Sequence, residues 1–250
     1  MISIFFIDEN QKVTLKDIGS EDLIRRFAKE QGAGIYAFDL DSQFRCNGSD
    51  GYIAWLDRIL DIKDTANFDI DGFDYDFRVL DDPNDVRRLI EEKNKINNKS
   101  RIVAGYCWNW VSEGKNNSNV HDIQIPEYNF EMSWNLGNST TWAIDSESVN
   151  EVGCIHTCQG LEFDYIGVII GDDLRYENNH IVTDYTKRAK TDTSLNGIKK
   201  IAKEQGQEVA NKIADNIIKN TYRTLMTRGM KGCYVYCTNK ELAEYLKNNI

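Results

Sequence analysis

Proline and histidine are scarce in this sequence, and basic residues are outnumbered by acidic ones. Two prolines and three histidines occur in 250 residues. No Pro-rich linker therefore divides the chain, and a Ser/His/Asp arrangement has only His121, His156 and His180 to draw on. Lys and Arg number 30 against 40 Asp and Glu, a formal charge of −10. A protein that grips nucleic acid chiefly through phosphates is expected to be basic, so broad nonspecific binding is disfavoured. The best local exception is Lys187, Arg188, Lys190, Lys199 and Lys200, whose plainer reading is a solvated face. No apolar run approaches the roughly 18 residues needed to cross a bilayer. The start, Met1–Ile7, has no basic region and meets Asp8 too early for a signal peptide. Six cysteines scattered through apolar segments fit a reduced, cytoplasmic setting better than a disulfide framework. Cys154, His156 and Cys158 alternate as on a strand, but tetrahedral zinc wants a second ligand pair, so no metal site is expected. The phosphate-cradling string Gly-x-x-x-x-Gly-Lys-Ser/Thr is also missing. Its nearest fragment, Glu113-Gly114-Lys115-Asn116, lacks the first Gly and the hydroxyl residue.

What is present alternates between two periods. Ile2–Ile7 is a continuous β-branched and aromatic run that reads as a buried strand. A helix follows from about Ser20 to Gln31, with Ser20 as its N-cap. A short strand is expected near Ile35–Leu40, and Ala54, Trp55, Ile59 and Leu60 line one helical face. Phe73–Leu80 and Arg101–Cys107 read as strands around a helix, Asn84–Asn94, with Val86, Leu89 and Ile90 inward. Trp134 and Trp142 flank Gly137-Asn138, a hairpin signal. Val152–His156 and Tyr165–Ile170 are strand-like and too close for an ordinary helix between them. Asn196–Leu225 carries a two-helix pattern, followed by the strand Cys233–Cys237 and a closing helix, Lys240–Asn248. Such alternation predicts an α/β fold, a parallel sheet with helices on both faces. Ligands of such sheets sit at strand carboxyl ends, so the site is expected there. Trp108, Trp110, Trp134 and Trp142 are either base-stacking platforms or, more plainly, packing residues.

Between two of these strands lies Cys154-Ile155-His156-Thr157-Cys158-Gln159-Gly160-Leu161-Glu162-Phe163-Asp164. By spacing alone it is a strand connection with a turning Gly and a solvated Glu. Its His-Thr-x-Gln-Gly-Leu-Glu-Phe-Asp resembles motif V of superfamily 1 helicases. The stretch Asn220–Lys231, with Thr227-Arg228-Gly229, resembles motif VI; Gln43-Phe44-Arg45-Cys46 resembles motif IV; Phe5–Gln11 resembles motif III, with Ile7 where Gly is usual. The four occur in the family's order. Across nearly the whole chain the sequence is most similar to the Schlafen group 3-like DNA/RNA helicase domain.

That resemblance implies a RecA-like second motor domain over residues 43–250, preceded at 1–42 by a remnant of the first. It implies ATP, with Mg²⁺, as cofactor: Glu162 on the ribose beside Gly160, Arg228 and Arg45 as γ-phosphate fingers, and Gln11 as the γ-phosphate sensor. His156 and Thr157 would lie along single-stranded DNA or RNA. Usually Ala follows the motif VI Arg, and Gly229 is expected only to loosen the helix. Arg45, Glu162 and Arg228 should converge at the strand carboxyl ends with Gln11 on the rim. Without the cradling string, the chain is expected to be inactive alone and to need a P-loop-bearing first domain or partner chain; the N-terminal strand, left as an edge, would self-associate. A split subunit, a fragment and a decayed gene product all fit. The alternative is a non-catalytic, nucleotide-responsive or protein-interaction module that kept the fold.

Overall fold

The computed structural model describes residues 2–17, 19–38, 46, 50–70, 72, 74–111, 117, 119–136 and 141–250. Its first element is helix α1 (Glu21–Glu30), capped by Ser20, whose Oγ accepts from Leu23 N–H at 3.2 Å. The expected strand Ile2–Ile7 is not formed: Ile2, Ile4, Phe5 and Phe6 are exposed, irregular chain. The apolar pattern is there, but no neighbouring strand completes its hydrogen bonds. Nor is there a strand over residues 35–38, while 39 and 40 lie outside the described residues. Among the described residues before Cys46, Val13 alone is buried.

From helix α2 (Asp50–Ile59) onward the chain builds a core. Strand β1 (Asp76–Leu80) leads to α3 (Pro83–Asn97), which Asp82 caps, with Pro83 at its first position and left-handed Asn98 closing it. Strand β2 (Ser100–Ala104) follows, then the hairpin β3 (Ile123–Ile125) and β4 (Phe130–Trp134), and strand β5 (Glu151–Gly153). The hairpin thus precedes the Gly137-Asn138 position chosen from sequence, which lies outside the described residues. One helical turn, α4 (Ile155–Cys158), replaces the expected continuation of the strand to His156. Strand β6 (Phe163–Ile170) is followed by a second hairpin, β7 (Leu174–Glu177) and β8 (His180–Thr183). Its turn is Asn178-Asn179 at φ 50° and 65°, a left-handed pair suited to a two-residue loop. Helices α5 (Ile198–Gln205) and α6 (Gln207–Met226) divide at Gly206, as the two-helix pattern predicts. Strand β9 (Gly229–Cys237) and helix α7 (Lys240–Lys247) close the fold.

Seven strands form one sheet in the order β1-β9-β6-β2-β5-β4-β3. Every pairing is parallel except the terminal β3–β4 hairpin. Side chains of period two sort the faces. Cys233, Val235 and Cys237 of β9, with Ile166, Val168 and Ile170 of β6, pack under α2, α6 and α7. Tyr234 and Tyr236, with Ile169, Ile102 and Ala104, pack with Val86 and Ile90 of α3 on the other side. The chain is therefore the expected α/β fold with helices on both faces.

Candidate functional site

The segment from Cys154 to Phe163 crosses the sheet from one edge to the other. Strand β5 ends at Gly153 on the carboxyl edge; α4 turns once, with Thr157 N–H on Cys154 O at 3.0 Å and Gln159 N–H on Ile155 O at 2.9 Å. Gly160 then takes φ +83°, with open space where a side chain would stand. The left-handed turn explains Gly at this position. Phe163 begins β6 on the amino edge, its N–H donating to Arg228 O at 2.8 Å.

Gly160, Glu162 and Arg228 are therefore neighbours at the amino ends of β6 and β9, not at the carboxyl ends. The cause is simple. Arg228 sits in the turn from the end of α6 into the start of β9, and a helix-to-strand turn in a parallel sheet lies at the amino edge.

Arg228 is buried, 1% exposed. Its Nε donates to Thr224 O at 2.9 Å and its Nη1 to Leu161 O at 3.3 Å, fastening the helix end to the crossing segment. Burial pushes the nearby Cys158 thiol up to about 12, with the Arg228 charge opposing the shift. Two phenols complete the turn. Tyr52 Oη donates to Met226 O at 3.1 Å and Tyr75 Oη to Gly229 O at 3.1 Å, their rings 4.0 Å apart. Burial raises both phenols well above their ordinary pKa and keeps them neutral donors. Asp57 on α2 pairs with Arg223 on α6, Nη2 to Oδ2 at 3.1 Å. Cys46 Sγ lies 3.8 Å from Thr227 O, so the last residue of the Gln43–Cys46 motif reaches this turn; Arg45 itself lies outside the described residues.

Gly229 is not part of the helix, contrary to the expectation. It opens β9 where Phe163 faces Gly229 but Tyr165 faces Gly232, an extra residue on the β9 side. A Cβ here would stand 2.1 Å from Gly232 O.

Glu162 is exposed beside the open Gly160 turn. Gln11 joins this neighbourhood through its backbone: Gln159 Nε2 donates to Gln11 O at 3.3 Å, and Asn220 of α6 to Lys12 O at 3.2 Å. The Gln11 side chain donates to Asp8 Oδ2 at 2.7 Å. His156 and Thr157 lie toward the opposite, carboxyl edge. His156 is exposed, and Thr157 Oγ1 donates to Asn135 Oδ1 at 3.0 Å and lies 3.2 Å from Cys154 Sγ. Tyr52, Tyr75 and Asp57 were invisible as site-builders in the sequence, because nothing in a helical aromatic or an isolated Asp names its distant backbone or Arg partner. Among the described residues, no three His, Cys, Asp or Glu side chains are grouped to hold a metal ion. No helix there is long and apolar enough to cross a membrane.

Residues 1–239 match the family described as Schlafen group 3, DNA/RNA helicase domain, and the chain belongs to that family. It is 25% identical over 226 residues to the uncharacterized protein YPL245W of Saccharomyces cerevisiae, covering 84% of this chain and 47% of the yeast protein. The chain thus spans about half the length of that relative. No solved structure matches.

Proposed function

We propose that this member of the Schlafen group 3 DNA/RNA helicase domain family is the RecA-like second motor domain of a superfamily 1 helicase or translocase. In this reading the amino edge faces nucleotide and the carboxyl edge faces nucleic acid. The observation that carries it is the junction of the two matched motifs: Leu161 O and Phe163 N–H both bind Arg228, which sets exposed Glu162 beside the α6–β9 turn. An exposed carboxylate next to an open glycine turn suits the hydroxyls of a ribose. Glu162 and Gly160 would hold the nucleoside, with Arg228 and Arg45 toward the phosphates and Gln11 as sensor. The chemistry ATP with Mg²⁺ would supply is phosphoryl transfer to water. For Arg228 to meet a phosphate, its guanidinium must release Thr224 or Leu161. His156 and Thr157 would line a single strand on the opposite edge. That Val13 alone is buried among the described residues before Cys46 supports taking residues 1–42 as part of another domain. Exposed Ile2, Ile4, Phe5 and Phe6 would meet that domain, or a second copy of this chain. Six free cysteines support a reducing, cytoplasmic compartment.

Lacking the Gly-x-x-x-x-Gly-Lys-Ser/Thr string, the chain alone should bind a fluorescent ATP analogue weakly and release no phosphate above background. Glu162→Ala should weaken that binding at least several-fold. Turnover of about 1–10³ s⁻¹ by the chain alone, or unchanged binding by Glu162→Ala, would overturn the proposal. The inward-turned Arg228 favours one second reading, the non-catalytic module, in which Arg228 only braces the turn. Restored turnover on adding a P-loop-bearing first domain would exclude it.

A further inference from the structure

Two features lying 81 residues apart in sequence meet on the carboxyl edge: the Trp108–Trp110 segment after β2 and the Lys187–Thr191 segment after β8. Ala189 N–H donates to Tyr106 O at 2.8 Å, Lys190 N–H to Asn109 Oδ1 at 2.8 Å, and Trp110 N–H to Thr191 Oγ1 at 3.1 Å. A buried ionic cluster anchors the join. Arg188 Nε donates to Asp192 Oδ2 at 2.5 Å, its Nη1 lies 3.7 Å from Asp173 Oδ2, and Asp173 accepts the hydroxyl of Tyr222 from α6. Arg188 is therefore an internal tie, whereas Lys187 and Lys190 are exposed. Of the five basic residues grouped from the sequence, Arg188 is an anchor, Lys187 and Lys190 are exposed on the joined segment, and Lys199 and Lys200 lie exposed on α5.

The aromatic half is equally ordered. Trp110 lies on Trp134 with ring centroids 5.8 Å apart and planes 14° apart, yet remains 36% exposed. Its indole N–H already donates to Tyr106 Oη at 2.6 Å, and that of Trp134 to Trp108 O at 3.2 Å. Trp134 and Trp142 are buried and explained by packing. Trp110 is not: it is a ring held flat, its donor satisfied, with surface left over. Asn135, the residue after Trp134, accepts from Thr157, so this shelf continues into the His156–Thr157 turn.

We propose that Trp110, Lys187 and Lys190 form a base-stacking shelf for single-stranded nucleic acid, extending the strand path beyond His156 and Thr157. A fixed indole offers any unpaired base a stacking surface, and flanking ammonium groups take the phosphates. On a chain of net charge −10, two exposed lysines on the segment hydrogen-bonded to the Trp108–Trp110 stretch match the alternating chemistry of a single strand. The shelf rests on the nucleic-acid reading of this edge given above.

The test is fluorescence anisotropy of labelled single-stranded RNA and DNA with the full chain at low ionic strength, repeated across a salt series. Trp110→Ala should weaken binding about tenfold, while Trp110→Phe retains most of it. Lys187→Gln with Lys190→Gln should make the slope of log affinity against log salt shallower by about 0.7 per lysine. All three changes are at exposed positions, and circular dichroism confirms folding. If Thr157→Val weakens binding while the Trp110 and lysine variants behave as wild type, the shelf is wrong and the nucleic-acid edge stands. If the wild-type chain binds neither strand, shelf and edge both fall.

Discussion

Gly229 shows how one residue's meaning depends on the element that receives it. As a helical residue it would cost some stiffness, and Ala would be an improvement. In the fold it opens β9 at an irregular register, with Gly232 O 2.1 Å from where a Cβ would stand. Backbone cannot rotate aside as a side chain can, so Gly229→Ala should destabilise by roughly 1–3 kcal/mol. Thermal unfolding would show it as about 2–4 °C per kcal/mol in a chain of this size; an unchanged or raised Tm would place Gly229 back in a helical setting. At this scale the motif residues were legible because their order along the chain is itself a signal. Gly160, Glu162 and Arg228 do lie together, although Arg228 spends its guanidinium on two carbonyls, which no spacing announces. They meet on the amino edge and not the expected carboxyl edge, because the carboxyl-end rule describes strand-to-helix loops and Arg228 lies on a helix-to-strand turn.

Among the elements, α2 and α6 hold the site together. Two ties join them near the end of α6 that leads into Arg228, Tyr52 to Met226 O and Asp57 to Arg223, and Asp61, just past α2, holds Lys219 about two turns earlier at 3.1 Å. The Asp57–Arg223 pair is largely shielded, with side chains 14% and 10% exposed. Removing one partner of a buried pair strands the other charge, so Asp57→Asn should cost about 3 kcal/mol in urea unfolding. A loss below roughly 0.5 kcal/mol would put the pair with ordinary surface ion pairs. Helices were the most legible elements: Ser20 as N-cap, the inward face of α3 and the break between α5 and α6 follow from capping and period. Strands were less so. Ile2–Ile7 has strand composition without a partner strand, and the short β7–β8 hairpin has only its Asn178-Asn179 turn signal to announce it. Cys154–Cys158 alternates yet coils into a single turn, since four residues are too few for a period to decide.

At the scale of the whole molecule, the proposed function assigns a different ligand to each edge of the parallel sheet, and the Cys154–Phe163 segment runs from one edge to the other. The sheet's parallel order and two-sided helical cover were readable from alternation alone. Which residues would occupy which edge was not, because that depends on strand order and on where α6 delivers its last turn. The acidic balance of the chain does not contradict a nucleic-acid edge, since charge is local: Lys187 and Lys190 are exposed on the segment joined to the Trp108–Trp110 stretch, while Arg188 is consumed inside. The most direct test of the two-edge account is amide NMR on the full chain, titrated separately with ATP and with a single-stranded oligonucleotide. ATP should shift amides at 159–163 and 227–229, and the oligonucleotide those at 108–110, 135, 156–157 and 187–191, with little overlap. Both ligands shifting the same edge, or ATP shifts confined to the carboxyl edge, would contradict it.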